Sequence, residues 1–249
     1  MRVLSVASEA VPLIKTGGLA DVVGALPSVL APLGIDQRIM IPAYGGILDK
    51  LGKVQEVWAD WNLYGAHVRL FKAQVGTTTV LALDAPHLYH RDGGPYAGKQ
   101  GDYWDNPERF AALSWAAAEV ARDGMGDGWK PDVLHAHDWQ AGLAPAYLRY
   151  YGSGGVKTVM TIHNIAFQGV TDGGRLEALR LPWHAWHPDH AEYHGNLSTL
   201  KVGLALADAI TTVSPTYAEE LMRPEFGMGL QGLIASRAKA LSGILNGVD

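Results

Sequence analysis

The first apolar run, Val3-Leu4-Ser5-Val6-Ala7, shows no clean alternation of apolar and polar positions. That is the pattern of a strand buried on both faces of a parallel sheet. After a glycine-rich turn the spacing changes. Leu19, Val22, Val23, Leu26, Val29, Leu30 and Leu33 recur at i, i+3, i+4 and i+7 and predict an amphipathic helix. Pro27 is expected to kink it and Gly34 to end it. Arg38-Ile39-Met40-Ile41 reads as a second strand, which closes a βαβ unit with a right-handed crossover, the opening of a Rossmann-like sheet.

Residues 53–84 follow another rhythm. Val57, the stretch Ala66 to Val75 and the run Thr77 to Leu83 read as successive strands turning at Gly65 and Gly76, a small antiparallel excursion. Pro86 to Asp105, rich in Gly, Tyr and Trp, is long for a structureless connection, and long loops in compact domains often carry function. Asn106-Pro107-Glu108 predicts a helix with Asn106 as its N-cap. Alternation then resumes: strand at Asp132 to His135, helix over Trp139 to Tyr150, strand at Thr158 to Ile162, helix over Leu197 to Ala207, strand at Ala209 to Val213. Ser214-Pro215 opens a further helix, and Gly243 to Asp249 reads as an apolar strand running into a turn. The whole is an α/β pattern, a parallel sheet with helices on both faces. No repeat, charge block or low-complexity linker divides it, so residues 1–249 are expected to form one domain.

Composition narrows the function. The 249 residues are 48% hydrophobic and 18% charged, which excludes a disordered chain. With 20 Lys and Arg against 25 Asp and Glu the net charge is −5, so no diffuse cationic surface is expected for nucleic acid or an anionic membrane. The absence of cysteine removes a thiolate nucleophile and cysteine-bearing zinc sites, and it fits a reducing compartment. Ser5, Ser8 and Glu9 interrupt the N-terminal apolar stretch before a leader core is complete, and no run approaches the ~18 apolar residues of a membrane span. A soluble, cytoplasmic protein is the expectation.

Three strand-end clusters carry candidate chemistry. Lys15-Thr16-Gly17-Gly18-Leu19-Ala20-Asp21 lies between the first strand and first helix, where open α/β sheets bind ligands. Gly17 and Gly18 let a ligand approach backbone, the helix start offers free N–H groups, and Lys15 adds a charge, a combination suited to a diphosphate or sugar phosphate. The spacing is neither GxGxxG nor GxxxxGK[ST]. His135-Ala136-His137-Asp138-Trp139-Gln140 and Thr161-Ile162-His163-Asn164-Ile165 end two further parallel strands and should open on the same side as Lys15. Carboxylate, imidazole and amide converging there suit a hydroxyl-rich substrate. The run His184, His187, His190 and His194 has no recognised metal-ligand spacing, and Trp183 and Trp186 beside it suggest a packed or glucan-facing surface. Glu219 and Glu220 read as solvated helix residues.

The segment Lys15 to Pro27 resembles the signature of bacterial glycogen synthases and plant starch synthases. The likeness continues through Gly94-Pro95-Tyr96, Arg109-Phe110, the clusters at 135–140 and 161–169, Val213 to Ala218, and Asn246-Gly247-Val248-Asp249. The resemblance implies a retaining glucosyltransferase with two Rossmann-like domains (the GT-B architecture), moving glucose from ADP-glucose to the non-reducing end of an α-1,4-glucan without a metal or other cofactor. By motif position, Lys15, Gly17 and Gly18 would meet the donor's phosphate and sugar, and Asp21 would help hold the substrates. His163 and Asn164 would contact the transferring glucose, with His163 and Asp138 at the reacting centre, Tyr96 beside the acceptor path and Asn246 near the donor sugar. It further implies a C-terminal donor-binding domain beyond the Asn-Gly-Val-Asp turn, absent from this chain, so the 249 residues alone are expected to transfer essentially no glucose. A non-catalytic glucan-binding module and a transferase using another nucleotide-sugar remain alternatives.

Overall fold

The computed structural model describes residues 1–247; Val248 and Asp249 of the terminal motif lie outside the described residues. Strand β1 (Arg2–Val6) leads into helix α1 (Gly18–Leu30) and strand β2 (Asp36–Pro42). A short helix α2 (Ile47–Leu51) precedes the meander β3 (Gln55–Leu63), β4 (Ala66–Val75) and β5 (Thr78–Asp84), which is the antiparallel excursion expected. Helix α3 (Pro86–Tyr89) and the two-residue pair β6 (Ala97–Gly98) and β7 (Gly101–Asp102) give order to the segment read as a long loop. Helix α4 (Asn106–Asp123), strand β8 (Val133–His137), helices α5 (Asp138–Ala141) and α6 (Leu143–Tyr151) and strand β9 (Lys157–Ile162) follow. A three-stranded patch of β10 (Val170–Asp172), β11 (Glu192–Tyr193) and β12 (Asn196–Ser198) precedes helix α7 (Thr199–Leu206) and strand β13 (Ala209–Thr212). Helices α8 (Pro215–Leu221) and α9 (Gln231–Ser236) lead to the last strand, β14 (Leu241–Gly243).

Among the described residues the main sheet has nine strands in the order β14-β13-β9-β8-β1-β2-β5-β4-β3. From β14 to β5 every neighbouring pair is parallel. The chain therefore moves outward from β1 in one direction, through β2 and β5, and returns to build β8, β9, β13 and β14 in the other. The order reverses between β1 and β8, the kind of switch point where such sheets open a crevice beyond the strands' carboxyl ends. Right-handed crossovers put α1 on one face and the helices that follow the reversal on the opposite face. Helices α4 and α6 accordingly pack on β8, and α7 packs on α5 and α6.

Alternation along the central strands follows this layering. Leu4, Val6, Leu134, Ala136, Met160 and Ile162 are fully buried within the hydrophobic core. Ser5, His135, His137 and Thr161 occupy the intervening positions, and the two histidines and Thr161 line the other face. The runs look continuous in sequence because both faces are covered near β1, yet one face is polar.

Three expected helix boundaries shift. The helix expected to be capped by Asn106 has Asp105 at its N-cap position, without a side-chain capping bond, and the Asn106 side chain is engaged elsewhere, with Nδ2 donating to Tyr96 O at 2.9 Å. The helix expected over Trp139 to Tyr150 is two short helices meeting at Gly142. Leu197 belongs to β12, and Ser198 caps α7 by accepting from Lys201 N at 3.1 Å. Helix α1 holds Pro27 in its interior, runs into a 3-10 turn at Ala31–Leu33, and ends at Gly34, whose φ of +76° is the left-handed closure expected there. Its buried stripe, Leu19, Ala20, Val23 and Pro27, is narrower than the sequence period suggests, and Val29 and Leu33 are exposed.

Candidate functional site

At the carboxyl end of β1 the chain turns through residues 7–17 into α1. Gly17, extended at φ −150°, is the N-cap and supplies no side-chain bond to the helix amides. A β-carbon on Gly17 or Gly18 would meet nothing within 4 Å, so the helix start faces open space. Lys15 Nζ lies 2.7 Å from Asp21 Oδ2, with both side chains half exposed. The two charges expected to serve a ligand are thus paired with each other at the mouth of this loop, each solvated enough to exchange its partner.

Behind the loop sits Glu9, buried at 3% exposure. Its carboxylate accepts from Thr16 N, from Thr16 Oγ1 at 2.6 Å, and from the Tyr96 hydroxyl. Ser8 Oγ lies 2.7 Å from the same hydroxyl. One carboxylate therefore ties the glycine loop to the 86–105 segment. Burial, then the bond to Glu9, pushes the Tyr96 phenol up, so it stays a neutral donor. The segment itself is held by Arg109, fully buried on α4, which donates through Nε to Leu88 O at 2.7 Å and through Nη1 to Pro95 O at 2.9 Å.

Beside β1, the ends of β8 and β9 bring three imidazoles together. The His135 and His137 rings lie 4.0 Å apart, and His137 Nδ1 is 2.9 Å from His163 Nε2. Burial pushes His135 and His163 down to about 4 and His137 well down, so all three are neutral near pH 7. Asp138 turns the chain out of β8 at φ +54°, a left-handed geometry a non-glycine residue adopts at a cost. Its Oδ1 accepts from His163 N at 2.7 Å and Asn164 N at 3.4 Å, fixing the turn after β9. Burial, only partly offset by these bonds, raises its carboxyl to about 7. Asn164 is exposed, and its Oδ1 accepts from Ala166 N at 3.0 Å.

A groove of about 1050 Å³ runs along the face that carries these rings. Asp21, His163 and Asn246 line it. Its walls include Val22, Leu26 and Val29 from α1, and Ile244 and Leu245 beyond β14. Asn246 N donates to Val213 O at 3.2 Å, which holds this tail along β13. The expected residues thus form linked groups: Lys15 with Asp21, Asp138 with His163 and Asn164, and Tyr96 joined through Glu9 to Thr16. No direct hydrogen bond among the described residues joins Tyr96 or Asn246 to His163. Among the described residues, no three His, Asp or Glu side chains converge to hold a metal ion. Trp183 is 83% exposed, and the His184 ring packs edge-on against Tyr150.

Sequence reasoning missed Ser5 and Glu9 as parts of the site, and it placed Thr16 and Arg109 within motifs without giving either a role. The signal was present: Ser5, Ser8 and Glu9 are polar residues set inside an apolar run, and all three are buried and bonded, Ser5 to His137 across the switch point and Ser8 and Glu9 to Tyr96.

A family model described as the starch synthase catalytic domain matches residues 2–236. The chain belongs to this family. It is 62% identical over 248 residues to a glycogen synthase of Cereibacter sphaeroides, covering 100% of this chain and 52% of that protein. It is 53% identical over 249 residues to a glycogen synthase of Paracoccus denitrificans, covering 100% of this chain and 53% of that protein. The chain therefore spans about half the length of these curated relatives. The catalytic domain of starch synthase IV from Arabidopsis thaliana, solved bound to ADP and acarbose, superposes with a TM-score of 0.86 at 28% identity over 99% of this chain and 52% of that one. Membership in the starch synthase family brings with it the GT-B fold expected from the sequence, and the mostly parallel nine-stranded sheet is its Rossmann-like part. No helix among the described residues is long and apolar enough to cross a membrane.

Proposed function

We propose that this chain is the N-terminal, acceptor-side domain of a glycogen synthase that transfers glucose from ADP-glucose to the non-reducing end of an α-1,4-glucan with retention. The observation that carries the reading is the constellation at the β1/β8 switch point: an open helix start with Lys15, and the Asp138-ordered turn presenting His163 and Asn164. Likeness along the whole of this chain, and about half of each relative, to glycogen synthases at 50–62% identity supports it, as does a starch synthase solved bound to ADP and acarbose.

In this reading Lys15 leaves Asp21 to meet the donor's diphosphate, and the amides at Gly17 and Gly18 approach the same charge. Negative charge grows on the departing diphosphate as positive charge grows on the sugar ring, so fixed cations and dipoles lower the barrier. His163 and Asn164 hold the hydroxyls of the transferring glucose, Asp138 keeps their turn in register, Tyr96 borders the acceptor path and Asn246 the donor sugar. The remaining half of the relatives' length supplies the donor-binding domain and the second wall of the cleft, so the 249 residues alone bind glucan and transfer essentially no glucose. A cysteine-free chain of this charge suits the cytoplasm.

The test is transfer from ADP-glucose to malto-oligosaccharide by the full-length protein. Lys15→Ala and His163→Ala are each expected to lower kcat/KM by about 100-fold or more, while Lys15→Ala leaves oligosaccharide binding near wild type. Full activity in both variants would contradict the roles given to Lys15 and His163; oligosaccharide binding with no transfer by the full-length protein would favour a glucan-binding module.

A further inference from the structure

His137 is fully buried and has hydrogen-bond contacts at both ring nitrogens: Ser5 Oγ lies 3.0 Å from Nε2, and His163 Nε2 lies 2.9 Å from Nδ1. The three side chains come from the adjacent strands β1 and β8 and from the residue following β9, so the backbone register of the sheet sets their spacing. The His135 ring, tilted 36° against His137 and bonded to Thr161 Oγ1 at 2.6 Å, limits rotation of the middle ring. The backbone N–H of His163 is already tied to Asp138.

Such a chain admits two arrangements of protons when both rings are neutral. In one, the Ser5 hydroxyl donates to His137 Nε2, His137 Nδ1–H donates to His163 Nε2, and the His163 proton sits on Nδ1. In the other, His163 Nε2–H donates to His137 Nδ1, and His137 Nε2–H donates to Ser5 Oγ. The second arrangement leaves the Ser5 hydroxyl hydrogen seeking an acceptor. Ser5 is fully buried, and His137 is its hydrogen-bond partner among the described residues. A buried donor without an acceptor is costly, so the first arrangement is favoured. Burial, which holds both rings neutral, removes the doubly protonated alternatives.

We propose that Ser5 and His137 are positioning residues that fix His163 in the Nδ1–H tautomer, so that its unpaired ring nitrogen meets the substrate as a hydrogen-bond donor. The ligand atom it suits is an acceptor, a sugar hydroxyl oxygen; a ligand group that must donate a proton is disfavoured there. The inference deepens the proposed function, resting on His163 facing the transferring sugar, but the tautomer is measurable without activity.

The experiment is two-bond ¹H–¹⁵N correlation of the imidazoles in the full-length protein labelled with ¹⁵N-histidine, near pH 7. The His163 signals are identified by their loss in His163→Gln. The expected pattern is a protonated Nδ1 and an unprotonated Nε2 on His163; the reverse pattern in wild type overturns the proposal. Ser5→Ala is expected to shift His163 toward the Nε2–H form and to lower kcat by about tenfold with KM for malto-oligosaccharide little changed. Ser5→Thr, which keeps the hydroxyl, is expected to restore both. An unchanged His163 spectrum in Ser5→Ala would contradict control by Ser5. A full-length wild-type protein with the Nδ1–H pattern but no glucosyl transfer would refute the proposed function and leave the relay standing.

Discussion

Glu9 joins two loops that sequence reading keeps apart. Its carboxylate accepts from Thr16 on the glycine loop and from Tyr96 on the 86–105 segment, and truncating it removes three hydrogen bonds, leaving the two Thr16 donors without this acceptor and the Tyr96 hydroxyl with Ser8 alone. Glu9→Ala is expected to lower unfolding free energy by about 2–4 kcal/mol, read from urea denaturation, whereas Tyr96→Phe, which removes one of those donors, costs less. Equal losses would show that Glu9 acts through Tyr96 alone. Acid sensitivity also belongs at this scale. His135 and His163 titrate at about 4 in the fold and His137 is held well down, against an unfolded value of 6.5, so the native state binds fewer protons and stability is lost as pH falls from 6.5 toward 4. Asp138, raised to about 7 from 3.8, has the opposite sign: its burial penalty is absent at low pH and grows as pH rises through that window. Among these four groups, three imidazoles outweigh one carboxyl. The urea midpoint should fall between pH 7 and 4.5, and fall more steeply in Asp138→Asn; a steeper fall in wild type than in the variant would reverse the sign assigned to Asp138.

The βα alternation was legible because each central strand carries a short cluster of apolar residues and the helix after β1 has a stripe at i, i+3 and i+4. Boundaries were less legible where a polar side chain does other work. Asn106 looks like a cap, yet it accepts from Arg109 Nη1 at 2.5 Å on its own helix and donates to Tyr96 O across the preceding loop, and the local helix-start pattern shows neither. Gly142 and Gly203 both fall inside stretches the sequence predicts as helix. In the fold they are where the α5–α6 junction and α7 touch backbone to backbone: a β-carbon on Gly203 would lie 2.6 Å from the Gly142 carbonyl oxygen. Gly203→Ala is therefore expected to cost about 1–3 kcal/mol, seen as a lower Tm. Gly17→Ala offers the contrast, since its β-carbon would meet nothing and its φ is extended. It should leave Tm nearly unchanged and weaken use of ADP-glucose by the full-length protein; a large loss of Tm would mean the open loop is needed for folding rather than for a ligand.

Across the whole molecule, strand order decides where the site lies, and strand order is what the sequence does not spell out. The motifs at 15–21, 135–140 and 161–165 were legible as strand-end clusters; that β8 lies beside β1, bringing Ser5 to His137, emerges only with the sheet. The groove was not legible either. Leu26 and Val29 looked like core positions of α1, but handedness sends the later helices to the opposite face, and these side chains line a cleft beside β14. A protein of these 249 residues should accordingly bind an apolar dye and self-associate as concentration rises, checked by light scattering. A strictly monomeric, dye-silent chain would mean that the groove closes in solution. The central claim, that this chain is the acceptor-side domain of a glucosyltransferase, is tested most directly by measuring malto-oligosaccharide binding and glucosyl transfer from ADP-glucose on one sample of the 249-residue protein. The account predicts binding without transfer; transfer by this chain, or no binding of the glucan, would contradict it.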